Sequence, residues 1–267
     1  MAEDRWKMEG EWGVLVRKLE ALLRLKSFPV GFKFLKNAED LGKNKWLRRM
    51  DKRMLLCQLI TIVRNFDWTI GVDKDSLFPR CAYIFGFIDI PKETGKGSVG
   101  ALFCKTEEDA RRYEDSIIRI PPGEHEALIL APLVYNPFEP DLILIYANPA
   151  QMSLLINAIQ FEDYERLEFS CVGESSCSDA IARCYLTGKP CLTIPCFGER
   201  RYGHTQDDEL MMALAPQTLP KVVRNLEELY KRGIRYPIAY YGAQAESAKE
   251  LIEIHSAYKK YYGDTIS

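Results

Sequence analysis

Cysteine is the residue type whose spacing in this chain most suggests chemistry. Thiolates act as nucleophiles, redox centres and metal ligands. Five of the eight cysteines fall in the block from Leu167 to Leu210, namely Cys171, Cys177, Cys184, Cys191 and Cys196. Two glycine turns, a charge-dense loop and one of the three histidines share that block. The block 167–210 therefore predicts a cysteine-based functional site.

The pattern around the central cysteines predicts a helix. After a glycine turn, Ser175 or Ser176 can cap a helix from about Cys177 to Leu186. Cys177 then lies in the first turn, where unpaired N–H groups and the helix dipole favour a thiolate. Cys184 would lie about 10 Å further along the axis, too far for both to share one compact metal centre. We assign the functional role to Cys177 and a core role to Cys184.

Cys196 stands where a predicted strand ends and a loop begins. Sites are commonly built at such positions, so Cys196 is preferred to Cys191, which points to the opposite face of an extended chain. The chain has neither a Cys-x-x-Cys pair nor the cysteine run of ferredoxins. Any metal centre must therefore take ligands that are scattered in sequence and gathered by the fold.

A paired arginine follows Cys196 in the loop that leads to His204. Arg200 or Arg201 can clamp a carboxylate or phosphate through a bidentate guanidinium fork. The equal alternative is a surface ion-pair cluster with the acidic residues 207–209. His204 is a further candidate, for acid–base work.

Bulk composition limits the classes of function. The 267 residues carry 36 Lys and Arg against 38 Asp and Glu, a net charge of −2 that gives no bulk attraction for nucleic acid or an anionic membrane. The N-terminus has no signal-peptide pattern, and no uninterrupted apolar run reaches about 18 residues. We expect a cytoplasmic protein whose cysteines are thiols, metal ligands or redox centres rather than disulfides.

The hydrophobic pattern predicts an α/β (or α+β) fold, with a mixed central sheet and helices on both faces. Apolar residues at helical spacing predict an N-terminal helix, and near-continuous apolar runs predict strands buried on both faces. No linker divides the chain, so we expect a single domain over 1–267. The predicted elements are helices over 11–26, 219–232 and 245–262, strands over 98–103, 127–134 and 141–146, and a charged helix capped by Thr106.

Two cysteines upstream of the block 167–210, Cys57 and Cys81, have less specific local patterns. Cys57 falls in the apolar run 54–63, where a small buried core residue is the simpler interpretation. Cys81 follows a loop, where a ligand and a packing thiol are equally compatible with the pattern.

Together these segments resemble the archaeal and bacterial proteins of domain-of-unknown-function family 169. The resemblance runs from Leu15 to Gly242, and implies no activity. It implies cysteines at four positions that meet in one place and leaves Cys104, Cys171, Cys184 and Cys191 as extras. The strings that carry it are Leu-Leu-Cys-Gln-Leu around Cys57, Cys81 ahead of Ile-Phe-Gly-Phe, Gly-Glu-Ser-Ser-Cys-Ser-Asp-Ala-Ile around Cys177, and Ile-Pro-Cys-Phe-Gly-Glu-Arg-Arg around Cys196.

The leading hypothesis is an iron–sulfur cluster, expected to be [4Fe-4S], on Cys57, Cys81, Cys177 and Cys196. The protein would serve anaerobic metabolism through redox chemistry or cluster-assisted catalysis on a small anionic substrate. Expected partners are that ligand, a redox protein and a second copy of the chain; nucleic acid and membranes are not expected. The alternatives are a non-catalytic protein that binds a small ligand, a zinc protein on the same cysteines, and a thiol-redox protein with Cys177 as nucleophile and Cys171 as resolving thiol.

Overall fold

The computed structural model describes residues 10–43, 46–135, 137–238 and 260. The predicted helix over 245–262 therefore lies outside the described residues, apart from position 260. Helices are α1 Glu11–Leu23, α2 Leu56–Phe66, α3 Pro79–Ile84, α4 Lys92–Gly95, α5 Glu107–Ser116, α6 Pro149–Gln160, α7 Arg183–Thr187, α8 Phe197–Arg201 and α9 Leu219–Lys231. Strands are β1 Val30–Leu35, β2 Arg48–Arg49, β3 Ile70–Asp73, β4 Ala127–Pro132, β5 Leu142–Ala147, β6 Cys191–Thr193 and β7 Leu210–Leu214.

The strands form one mixed sheet in the order β2-β3-β4-β1-β5-β7-β6. β2 and β3 pair in parallel, and every other pair is antiparallel. The predicted mixed sheet is thus confirmed, although its buried strands are mostly antiparallel rather than the parallel strands that such runs often indicate.

Helices cover both faces of the sheet, as predicted. Along β5, Leu142 and Leu144 pack in the core that contains α2 and α3 residues. Ile143 and Ile145 pack in the opposite core, which contains α1, α6 and α9 residues. Because successive strand residues point to opposite faces, a strand buried on both faces must be apolar throughout, as β5 is.

The segment after α4 corrects the sequence prediction. A strand was expected over 98–103, but a 3-10 turn occupies Gly100–Leu102. Gly100 packs so closely on α5 that a Cβ atom there would lie 2.5 Å from the Ala110 carbonyl oxygen. That approach holds the segment against a helix rather than beside a strand. The cap on α5 is confirmed, because the Thr106 hydroxyl accepts the Asp109 N–H at 3.0 Å.

Other helix predictions agree closely with the structure. The N-terminal helix ends at Leu23, three residues before its predicted end at 26, because Arg24 adopts a left-handed conformation (φ 55°). α9 covers the predicted 219–232 helix except its last residue. Within the described ranges, no helix has the length and apolar character needed to span a bilayer.

Candidate functional site

Four cysteines from four separate elements line one cavity of about 630 Å³. Cys57 is the second residue of α2, and Cys81 is the third residue of α3. Cys177 directly precedes a π-helical turn at Ser178–Ala182, and Cys196 directly precedes α8. All four thus stand at helix starts, where unpaired N–H groups and the positive end of the backbone dipoles favour negative charge.

Backbone contacts hold α2 against both α3 and α8. The Leu56 N–H donates to the Cys81 Sγ at 3.3 Å, and the Cys57 thiol approaches the Gly198 carbonyl oxygen at 3.9 Å. The loop after α8 closes tightly on α2: a Cβ atom at Gly203 would lie 2.7 Å from the Cys57 Cβ. The absence of a side chain at Gly203 therefore lets Cys57 and the α8 segment come together.

Glu199 ties the two downstream cysteines to each other. Its side chain is 2% exposed, and its Oε2 accepts the Cys196 N–H and the Ser176 hydroxyl, both at 2.9 Å. Ser176 directly precedes Cys177, so one carboxyl group fixes both helix starts. Its Oε1 has no hydrogen-bond partner in the part of the chain that the structure describes. Burial raises the pKa of Glu199, which favours its protonated form.

Arg80 anchors the other side of the site, next to Cys81. Its Nε donates to the Ser175 hydroxyl at 2.7 Å, and its Nη1 donates to the Tyr83 hydroxyl at 2.7 Å and to Glu114 at 3.1 Å. Glu114 is fully buried on α5. Arg80 thereby links α3, α5 and the segment that carries Cys177.

Burial raises the pKa of all four cavity thiols. The pKa of Cys81 rises to about 11, although the Leu56 N–H and Arg80 partly oppose the rise. The pKa of Cys196 rises to about 12, with Glu199 and Glu174 adding to the effect of burial. The pKa values of Cys57 and Cys177 are also raised, first by burial and then by Glu199 and the neighbouring thiols. These raised pKa values favour the protonated thiols where no cation compensates the burial.

The remaining cysteines lie outside this cavity's lining. Cys184 and Cys191 are buried in the core, as predicted for Cys184, while Cys104 is partly buried and Cys171 is exposed.

Arg200, Arg201 and His204 also lie outside the cavity's lining. The Arg200 guanidinium donates to the Gln206 carbonyl oxygen, and Arg201 and His204 are exposed. The acidic residues that follow pair elsewhere, Asp208 with Lys26 at 3.0 Å and Glu209 with Arg64 at 2.8 Å. The catalytic role proposed for Arg200, Arg201 and His204 stays a prediction.

The arginines that do line the cavity are Arg53 and Arg80. Sequence reasoning missed Arg80 and Glu199, although each left a local signal. Arg80 directly precedes Cys81, and Glu199 stands three residues after Cys196, at capping-box spacing. Both residues orient cysteine-bearing segments.

The candidate metal ligands in the cavity's lining include four thiols. Across the described ranges, no group of three or more His, Cys, Asp or Glu side chains is arranged to hold one metal ion. A structural zinc site brings four ligands to one point, with sulfur about 2.3 Å from the metal. Four thiols around a common cavity match the usual ligand complement of a larger iron–sulfur cluster.

Comparison with known families confirms the resemblance carried by the cysteine motifs. Residues 18–225 match domain-of-unknown-function family 169, described as an uncharacterised ArCR family. The chain belongs to this family. The chain is also similar to the uncharacterized protein MJ0308 of Methanocaldococcus jannaschii, with 30% identity over 217 residues, which cover 79% of this chain and 91% of the relative. The match to family 169 spans all four cavity cysteines. No solved structure matches this chain.

Proposed function

We propose that this protein binds a [4Fe-4S] cluster through Cys57, Cys81, Cys177 and Cys196. The observation that carries the proposal is that four thiols from four separate elements line one cavity. Four cysteine thiolates are the usual ligands of such a cluster. The Leu56 N–H already points at the Cys81 sulfur at 3.3 Å, and hydrogen bonds of this kind tune the reduction potential of a ligated cluster.

The alternatives have weaker support from the geometry. Zinc needs a closed tetrahedral site, which the described side chains do not form. Thiol-redox chemistry needs a reactive thiolate, yet burial and neighbouring charges raise the pKa of Cys177 well above the ordinary value. The expected resolving thiol, Cys171, is exposed and contacts the Ile194 carbonyl oxygen at 3.9 Å.

When bound through all four cysteines, the cluster would supply one-electron chemistry. The chain's own residues would fix the helix starts that carry the cysteines, through Glu199 and Arg80. Arg53 is exposed on the cavity wall, where its Nε donates to the Asp75 carbonyl oxygen at 3.2 Å, and the rest of its guanidinium would meet an anionic substrate group. This role is consistent with a cytoplasmic protein of anaerobic metabolism that exchanges electrons with a partner protein.

The test is purification without oxygen, followed by a visible spectrum and assays of iron, zinc and acid-labile sulfide. We expect a brown protein with iron and sulfide, and we expect Cys196→Ala to lose both. Cys171→Ala is the matched control, because it removes a cysteine of the same block that lies outside the cavity. A wild-type protein that stays colourless and free of iron after anaerobic reconstitution would refute the cluster.

A further inference from the structure

The cysteines occupy only part of the cavity wall, and the rest is mostly apolar. Leu55 and Leu56 come from the start of α2, and Ile84 comes from the end of α3. The segment around the 3-10 turn Gly100–Leu102 forms another side, and α8 with the following residue forms a third. Cavities of about 300–1,000 Å³ with such walls hold compounds of drug size, and this one measures about 630 Å³.

Large apolar side chains at the cavity are unusually exposed. Contiguous exposed apolar groups on a folded protein mark a binding surface more often than isolated ones do. Four of the five side chains concerned carry an aromatic ring, which favours edge or offset contacts with another ring. They are Leu102 at 79% exposure, Phe197 at 61%, Tyr202 at 50%, and Phe78 and Phe103 at 48% each.

The charged groups deeper in the wall are bound within the protein, apart from the Glu199 Oε1, which has no partner among the described residues. Arg80 is bound to Ser175, Tyr83 and Glu114. The Glu174 Oε2 accepts the Gly198 N–H at 3.0 Å, and the Glu199 Oε2 accepts two donors. A small inorganic anion would meet two carboxyl groups and a committed arginine, so the interior favours an apolar ligand.

We infer that the cavity binds an aromatic-ring compound, which enters between the Leu102–Phe103 wall and the Phe197–Tyr202 wall. The inference rests on the proposed function in that this compound would be the substrate delivered to the cysteine site. It specifies the substrate class as one recognised mainly by its rings, with Arg53 at the wall able to meet an acidic substituent.

The probe for the test is N-phenyl-1-naphthylamine, a neutral compound in which a secondary amine links a naphthalene to a phenyl ring. Equilibrium dialysis of this probe uses the full chain purified without oxygen, and iron and sulfide are assayed in the same samples. We expect saturable binding of one probe per chain. Phe197→Ala should weaken binding about tenfold, equivalent to about 1.4 kcal/mol, and Leu102→Ala on the opposite wall should weaken it at least about threefold.

Phe66→Ala is the matched control, because Phe66 is 65% exposed, close to the 61% of Phe197, and lies outside the cavity's lining. It should leave the affinity within about twofold, which separates the cavity from general surface binding. Circular dichroism of each variant confirms that it is folded.

Three results would overturn the ring-ligand inference. One is the absence of saturable binding to the folded wild-type chain. Another is an equal loss in Phe66→Ala and Phe197→Ala, and a third is displacement of the probe by millimolar sulfate, which would indicate an anion site. If sedimentation instead shows that Phe197→Ala disrupts self-association while the probe does not bind, the rim is a protein interface. A colourless chain that binds the probe refutes only the cluster, and a brown chain that does not bind it refutes only the ring ligand.

Discussion

Raising the pH of the metal-free protein should weaken its fold through the buried cavity thiols. Cys81 and Cys196 are 8% and 6% exposed, and burial raises their pKa values to about 11 and about 12. An unfolded thiol loses its proton near pH 8.5. Above that pH the unfolded chain binds fewer protons than the folded chain, so the free energy of unfolding falls as pH rises. The loss continues until the pH reaches the folded pKa values.

The size of the effect follows from the gap between the two states. At pH 10 each fully buried thiol should cost about 1–2 kcal/mol of stability relative to pH 7. Cys196→Ala removes one such group. Its own unfolding free energy should therefore drop by about 1–2 kcal/mol less than that of wild type over the same pH interval. The variant's loss of packing is independent of pH and cancels in this comparison.

Urea unfolding of chelator-treated protein at pH 7, 8, 9 and 10, followed by circular dichroism, measures the difference. Cys171→Ala provides the control, because it removes a thiol that is exposed to solvent in the folded protein. It should retain the pH dependence of wild type. Identical slopes for wild type and Cys196→Ala would show that this thiol is not held protonated by the fold, and the argument from burial would fail.

Further substitutions test how the site is supported. Glu209→Ala leaves the buried Arg64 without its bidentate partner at 2.8 and 2.9 Å and should cost about 3–5 kcal/mol in urea unfolding; Asp208→Ala, which breaks an exposed ion pair, should cost less than about 1 kcal/mol. A comparable loss in both would contradict the importance of burial. Gly100→Ala places a Cβ atom 2.5 Å from the α5 backbone and should cost about 1–3 kcal/mol by thermal unfolding. At Gly42 the added Cβ atom meets nothing within 4 Å, so an unchanged or raised midpoint is expected there, and equal destabilisation would refute the packing argument.

The fold was predictable wherever hydrophobic pattern alone decides the local structure. The apolar run that became β5 is buried on both faces, and α9 begins at the expected Leu219 with Pro220 in its first turn. Strand order was not predictable, because β1 pairs with β4 and β5, whose residues lie roughly a hundred positions downstream. Such pairing depends on how complete faces pack, and a local pattern carries no record of it.

The site residues likewise include some that a local sequence pattern predicts and some that it does not. Cys177 and Cys196 were identified from helix-start and strand-end positions, which are local features. The apolar run around Cys57 indicates a core residue. Only the family resemblance predicted that Cys57 shares a site with Cys177 and Cys196. In the structure that link is the close approach of Gly203 to Cys57. A contact between residues so distant in sequence has no local signature.

The position of the paired arginine shows why neighbours of a site residue in sequence need not share the site. α8 begins directly after Cys196, and each helical residue is rotated about 100° from the one before it. A residue three positions on returns to the same side, so Glu199 turns inward, is 2% exposed and lines the cavity. Arg200, four positions on, would return to the same side by rotation alone, but its guanidinium donates to the Gln206 carbonyl oxygen, and Arg201 is exposed. Arg200 is bound by the loop after α8 and Arg201 faces solvent, so both guanidinium groups lie outside the lining of the cavity that Cys196 and Glu199 help to form.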